Sequence, residues 1–294
     1  MNSIKIGINN KTNLTLQLEK KYDVTYYKKA TLLSKLLLRE NKYPDIYFHK
    51  GFLSSEAVSL IENSKIVIVT SNNIRKEIIG KIPNIDISKI HVLYPYLIEK
   101  SRYDKSIKKE FKKKHDIDKE SKIIFFRGKD LYKSGMDVVS DMISRMYKEN
   151  FTLIIESTPK QIGPLRLQLE KSELQFKYIL LENYENIEEL FISADIFILP
   201  TKQKYFSMDV LKAMYYRNAV FVMESNHSSE IIDTFSLIQS SEDRSVSFKV
   251  DSLLINKNEL KKIQKENQKI AQKHSLEKSL EKISEIIKDS LTFN

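Results

Sequence analysis

Five histidines and no cysteine set the acid–base and nucleophilic options of this 294-residue chain. His49 is the best placed of them. It follows the apolar run Asp45–Phe48, so a strand would deliver it to its carboxyl end, where α/β proteins assemble sites. His91 falls inside another apolar run and reads as structural, and His115, His227 and His274 have no partner pattern. No Ser/His/Asp set and no zinc spacing occurs, and the lack of cysteine excludes a thiolate nucleophile, a disulfide framework and cysteine-ligated metal. With only 6 glycines, neither G-x-G-x-x-G nor a Walker P-loop is present. Asp116-Ile117-Asp118 has a D-x-D spacing that could hold a cation against a diphosphate. It lies in a charged run rather than after a buried strand, and reads as chance. A basic set, Arg127, Lys129 and Lys133, follows the apolar run 122–126; on a strand Arg127 and Lys129 would share a face. Solvated lysines after a strand are the plain alternative.

The formal net charge is +10, from 49 Lys+Arg against 39 Asp+Glu. An anionic partner (a nucleotide, a nucleic acid or an anionic membrane surface) is one reading. Compositional drift is the other, since lysines scattered over a surface make no site. The tyrosines and lysines form no RNA-binding signature, so no nucleic-acid partner is expected. The opening MNSIKIGINN lacks a basic region followed by an apolar one, so no signal peptide is expected. No run approaches the ~18 apolar residues of a spanning helix.

The elements that must position these residues alternate. Strands are expected at Ser3–Asn9, Asp23–Tyr27, Asp45–Phe48, Lys65–Thr70 and Lys89–Leu93. Helices are expected between them, at about Lys11–Lys20, Leu32–Arg39, Ser54–Glu62 and Asn72–Ile79. From Lys100 to Lys122 there are ten Lys/Arg and five Asp/Glu, a candidate junction. A second series follows: strand Lys122–Phe126, helix Asp137–Lys148, strand Thr152–Glu156, helix Leu165–Lys171, strand Lys177–Leu181 and helix Ile187–Ser193. It continues with strand Ile196–Leu199, a loop from Pro200, a helix from about Met208 and strand Ala219–Met223. Leu253 to the end reads as helical, broken near His274–Ser275, with a last stripe of Leu276, Leu280, Ile283 and Ile287 suited to docking on a domain. The alternation predicts parallel, doubly wound sheets.

Motif order in the second half carries a resemblance. Phe126-Arg127-Gly128-Lys129-Asp130-Leu131-Tyr132-Lys133-Ser134-Gly135 resembles the "F-V-G-R-x-x-x-x-K-G" segment of family 4 retaining glycosyltransferases of the GT-B fold. Ser193–Thr201 is similar to their "A-A-D-x-F-x-L-P-S", and Phe206–Met214 to "F-G-x-x-x-L-E-A-M". Ala219–Met223 and Glu230-Ile231 fall where the family has "P-V-V-A-T" and "P-E-I-V", and Lys89–Tyr96 occupies the place of "K-I-x-V-I-P-N-G". Good order covers about Lys122 to Asp233.

The resemblance implies an α/β protein of two Rossmann-like doubly wound domains with a C-terminal helix. The expected division is residues 1–99 for the acceptor domain, 100–121 for a charged linker, 122–265 for the nucleotide-sugar domain and 266–294 for the final helix. It implies an enzyme that moves a sugar from a nucleotide diphosphate donor to a glycan, lipid-linked or protein acceptor, with retention and without a metal. No cofactor is expected beyond that substrate. Lys129 and Lys133 fall on the family's diphosphate-binding pair, with Arg127 as a source of the planar fork that lysine lacks. The donor-binding stretch is Lys204, Tyr205, Phe206, Ser207, Met208 and Lys212, and His49 lies near where some relatives place an active-site histidine. Lys204 and Lys212 stand where the family has the two glutamates of E-x7-E. An ammonium only donates hydrogen bonds, so Lys212 cannot copy a carboxylate that clamps ribose hydroxyls, though it could hold a phosphate or a carboxylated sugar. Ser207, in place of a glycine, is an acceptable N-cap. The alternative is a catalytically inactive relative: a scaffold, partner subunit or glycan-binding protein. A cytoplasmic location is expected, and contact with a membrane surface is compatible with a lipid-linked acceptor.

Overall fold

The computed structural model describes residues 4–8, 11–26, 43–98, 103–147, 150–171 and 176–291. The helix expected over Leu32–Arg39 lies outside the described residues. The chain forms two compact units, Met1–Ile98 with His274–Asn294, and Glu99–Lys273.

In the first unit, β1 (Lys5–Ile8), β2 (Asp23–Tyr26), β3 (Ile46–His49), β4 (Ile66–Val69) and β5 (Ile90–Val92) form a parallel sheet in the order β2-β1-β3-β4-β5. Alternate side chains leave opposite faces of a strand, and β4 shows what that does here. Ile66 and Ile68 join one apolar cluster, with Leu14 and Leu18 of α1 (Asn13–Leu18). Val67 and Val69 join the other, with Leu60 and Ile61 of α2 (Ser55–Asn63) and Ile74 and Ile78 of α3 (Asn72–Lys81). Ser54 and Ser71 start α2 and α3 by accepting the amides of Ala57 and Ile74. The C-terminal helix, Leu276–Leu291, adds Ile283, Ile286 and Ile287 to the first cluster, with Leu276 and Leu280 packed beside them. The narrow apolar stripe therefore docks on the first sheet, and Leu97 donates its amide to the His274 carbonyl at 2.7 Å where the helix begins.

The second unit opens with α4 (Lys105–Lys114), so the stretch expected as a charged linker contains a helix of this unit. Several of its lysines bond to protein. Lys112 Nζ donates to the carbonyls of Asp118, Lys119 and Ser121, and Lys108 pairs with Asp195 at 2.7 Å. Asp195 is buried and also accepts the Ile123 amide. Burial alone would raise its pKa, but Lys108 and Lys122 outweigh that and lower it.

The second sheet contains β6 (Lys122–Arg127), β7 (Phe151–Ser157), β8 (Lys177–Glu182), β9 (Ile196–Leu199), β10 (Ala219–Met223) and β11 (Leu237–Ile238). All are parallel, in the order β11-β10-β9-β6-β7-β8. The helices between them are α5 (Met136–Ser144), α6 (Pro159–Glu170), α7 (Ile187–Ser193) and α8 (Met208–Tyr215). After β11 come α9 (Ser245–Ile255) and α10 (Lys257–Gln272). Ile124, Phe126, Leu153, Ile155, Ile196 and Ile198 fill one face, whereas Phe125 turns to the other and meets Phe191 and Phe197. The chain runs outward from β6 to β8, then returns to β9 on the other side of β6. The switch point thus lies between β6 and β9, where α/β sheets open a crevice at the carboxyl ends of their strands.

Three elements differ from expectation. α6 begins at Pro159 rather than Leu165, because proline suits a first helical position. α9 starts at Ser245 without a side-chain cap. The long C-terminal pattern has a further break at Asn256, whose Oδ1 accepts the amides of Asn258 and Glu259.

Candidate functional site

Two loops meet at the switch point of the second sheet, one after β6 and one after β9. Gly128 opens the first, and a Cβ there would stand 2.0 Å from Ser134 Oγ, so the loop closes on itself only around a glycine. Gly135 ends it in the left-handed region, at φ +94°, where a Cβ would lie 2.1 Å from the Pro200 carbonyl oxygen. The two loops are also bonded. The Lys133 carbonyl accepts both Thr201 Oγ1 at 3.1 Å and the Lys202 amide at 3.2 Å. The Lys202 ammonium lies 4.1 Å from the centre of the Tyr132 ring and 2.8 Å from Asp137.

The loop after β9 is pinned from its far side by Asn226, which is buried. Its Nδ2 donates to the carbonyls of Gln203 at 2.8 Å and Tyr205 at 2.7 Å, and its Oδ1 accepts the amide and hydroxyl of Ser228. The His227 amide donates to the Lys204 carbonyl at 2.7 Å. With the backbone fixed, Lys204 and Tyr205 project into solvent, and Phe206 and Ser207 are half-buried. Met208 is exposed at the start of α8.

Helices α5, α6 and α8 open at this carboxyl edge from Gly135, Thr158 and Ser207, none of which makes a side-chain capping bond. Ser207 therefore occupies the N-cap position without using its hydroxyl as a cap. By contrast α1, α2, α3, α4, α7 and α10 all begin with a side-chain acceptor. Helix starts without a side-chain cap present the positive end of the helix dipole and suit an anion, and in α5 the amides concerned are those beyond Met136, whose own amide donates to the Leu131 carbonyl at 2.9 Å.

The basic residues divide into two groups. Lys129 is exposed and has no partner among the described residues. Lys133 is exposed, 3.3 Å from Asp130. Lys212 is half-buried, unpartnered among the described residues and one helical turn beyond Asp209.

Arg127 is different: its Nε donates to Glu156 at 2.9 Å and its Nη1 to Asp209 at 2.8 Å. Burial alone would lower its pKa, but Asp209 and Glu156 more than offset this and raise it. The guanidinium expected to grip a diphosphate instead ties the carboxyl ends of β6 and β7 to the first turn of α8. Glu156, Asp209 and Asn226 were not singled out from the sequence. Glu156 ends a continuous apolar run, which is the one signal that could have marked it.

In the first unit, His49 is the last residue of β3 rather than part of a loop, and is 2% exposed. Among the described residues neither ring nitrogen has a hydrogen-bond partner of good geometry, and burial lowers its pKa below the ordinary 6.5 against a weaker upward pull from the Gly51 backbone. Asp118 caps its own loop, accepting the amides of Glu120 and Ser121. Among the described residues no group of three or more His, Asp or Glu is placed to hold a metal ion. Nor, among them, is any helix long and apolar enough to cross a membrane.

Residues 107–270 match the family described as glycosyl transferases group 1. No curated protein matches the sequence significantly. Among solved structures, HepE of Anabaena in complex with UDP-glucose is 13% identical with a TM-score of 0.70, over 97% of this chain and 99% of that one. A glycosyltransferase from Rickettsia africae ESF-5 is 16% identical with a TM-score of 0.69, over 97% of this chain and 90% of that one. WaaG, a glycosyltransferase involved in lipopolysaccharide biosynthesis, is 12% identical with a TM-score of 0.68, over 96% and 99%. At such identities the likeness is one of fold. Together with the ordered loops of the second sheet, the match over more than half the sequence places the chain in the glycosyl transferases group 1 family of GT-B fold enzymes.

Proposed function

We propose that the protein transfers a sugar from a nucleoside diphosphate donor, with retention of configuration and without a metal, to a glycan, lipid-linked or protein acceptor. The observation that carries this reading is the pair of uncapped helix starts, α5 and α8, at the switch point where Lys129 and Lys133 project. In this reading the diphosphate lies against those first-turn amides and the two ammonium groups, which neutralise the charge that develops on it. The bond from the anomeric carbon to the phosphate oxygen breaks, the acceptor oxygen bonds to that carbon on the same face, and the departing phosphate takes the acceptor proton. Lys204 and Lys212 supply positive charge where a donor or acceptor more anionic than usual would sit. His49 is assigned to the acceptor side, at the carboxyl edge of the first sheet. The UDP-glucose of the HepE complex and the lipopolysaccharide pathway of WaaG are consistent with a nucleotide-sugar donor and a glycan or lipid-linked acceptor. A nucleotide-sugar donor and the absence of cysteine both suit the cytoplasm.

Calorimetry with UDP, GDP and ADP tests the reading. One of the three binds, and Lys133→Ala weakens it at least tenfold; no detectable binding of any of them would sink it. A second reading, a catalytically inactive relative, is favoured by the lysines at 204 and 212 and by the engaged fork of Arg127. Steady release of a nucleoside diphosphate from a panel of sugar nucleotides would exclude it.

A further inference from the structure

The positive charge of this chain is concentrated rather than scattered. Residues 105–114 and 257–273, which are α4 and α10 with its C-cap, hold twelve lysines and three glutamates, a net +9 of the chain's +10. Both helices reach the same residue. Lys108 of α4 pairs with the Asp195 carboxylate at 2.7 Å, and Gln264 of α10 donates to the Asp195 carbonyl at 3.0 Å. They meet again nearby, where Lys257 pairs with Glu120 at 2.9 Å and Lys112 donates to Ser121. Asn267 of α10 also donates to Asn218, just ahead of β10. Asp195, Asn218 and Ser121 immediately precede β9, β10 and β6, so this basic surface lies at the amino-terminal edge of the second sheet, and the candidate donor site lies at the carboxyl edge.

Spacing turns the lysines outward. Lys105, Lys109 and Lys113 follow one another at four-residue intervals on α4, and all are exposed. On α10 the same interval gives Lys257, Lys261, Lys265, Lys269 and Lys273, again all exposed. Except for Lys257, these lysines have no partner among the described residues.

We propose that this face adsorbs to an anionic lipid surface. The choice of partner rests on chemistry. All twelve basic groups are lysine and none is arginine, so the face offers point charges without the planar fork that reads a fixed phosphate. The single aromatic residue in the two segments, Phe111, is fully buried, which leaves no platform for stacking nucleic-acid bases. Mobile headgroups need only the charge, and each lysine close to an anionic leaflet strengthens partition roughly fivefold. This attachment does not depend on the donor reading, because it uses the opposite edge of the sheet.

The test is co-sedimentation with vesicles of equal parts phosphatidylglycerol and phosphatidylcholine, beside vesicles of phosphatidylcholine alone, at low and at 300 mM salt. One variant carries Lys109→Glu, Lys113→Glu, Lys265→Glu and Lys269→Glu. The other carries Lys21→Glu, Lys76→Glu, Lys171→Glu and Lys282→Glu, four exposed lysines elsewhere, so both have the same formal net charge of +2. Matching melting curves confirm that both are folded; if the helix variant is not, Lys→Gln at the same four positions of each variant replaces Lys→Glu, so that the two charges stay matched. The wild type binds the anionic vesicles alone and releases them at high salt. The helix variant loses at least a hundredfold in partition, and the scattered variant loses less than tenfold. Equal losses in the two variants, no binding by the wild type, or preference for poly-U RNA over the vesicles would each overturn the proposal.

Discussion

Replacing Arg127 by methionine removes the cation that two carboxylates share. Glu156 is almost fully buried and Asp209 partly so, with side-chain exposures of 7% and 27%, against 19% for Arg127. Removing one partner of a fully buried pair costs about 3–5 kcal/mol. The remaining solvent access of Arg127 and Asp209 reduces this to about 2–4 kcal/mol. For a unit of this size that is a fall of roughly 5–15 °C in the melting transition of the second unit. The informative comparison is the triple variant Arg127→Met, Glu156→Met, Asp209→Leu, which removes all three charges together and leaves no unpartnered polar group behind. Exchanging a whole buried ion group for well-packed apolar side chains of similar volume is often close to neutral, so the triple variant should melt within a few degrees of wild type. If Arg127 is a tether between β6, β7 and α8, the triple variant also keeps nucleoside diphosphate affinity within about fivefold, measured by titration calorimetry. A triple variant that is stable but binds at least a hundredfold more weakly would refute the tether and return the guanidinium to the phosphate. A single variant that melts like wild type would refute the energetic argument.

Gly135→Ala forces a side chain into a left-handed backbone, which costs roughly 1–2 kcal/mol by itself, and against the Pro200 carbonyl. The two loops must separate, and diphosphate affinity should fall at least tenfold by calorimetry; unchanged affinity would show that their contact does not shape the site. Asn226→Ala strands the carbonyls of Gln203 and Tyr205 and the Ser228 amide. At about 1–3 kcal/mol for each orphaned buried group, partly relieved by water, urea unfolding should show a loss of about 2–4 kcal/mol. The KM for donor should rise, because the loop carrying Lys204 is no longer fixed. Burial lowers the pKa values of His49, His91 and His115 below the ordinary 6.5. The unfolded chain therefore takes up protons first as pH falls, and stability, full above about pH 6.5, declines below it. Melting curves from pH 7.5 to 5 should show this, with a shallower slope in His49→Gln, since one buried histidine contributes up to about 1.4 kcal/mol per pH unit; a flat profile would contradict it.

Periodicity and punctuation made much of the fold legible. Ile66–Val69 could only be a strand covered on both faces, and the stripe at Leu276, Leu280, Ile283 and Ile287 announced a docking helix. Motif order identified the loops after β6 and β9 as the place to look. Which sheet the last helix would meet was not written in its stripe, because any apolar face satisfies it. The partners of Arg127 were hidden for a related reason. Glu156 is 29 residues away and Asp209 is 82 away, and only the register of β6 on β7 and the entry of α8 bring them together. His49 lies one residue past the strand end expected at Phe48, whereas β3 keeps it in register with Val69 of β4. The charged stretch after Lys100 read as a junction between domains for want of apolar residues, yet Phe111 and the stems of Lys108 and Lys112 were enough to fold it onto the second unit.

The central claim is that a nucleoside diphosphate is held by uncapped helix starts and lysines at the switch point of the second sheet. A crystal structure of the protein with the nucleotide that calorimetry selects tests it most directly. Diphosphate oxygens within hydrogen-bond distance of first-turn amides of α5 or α8, and of the Nζ of Lys129 or Lys133, are the predicted result. A diphosphate bound away from both helix starts, with those amides left to solvent, would contradict the account.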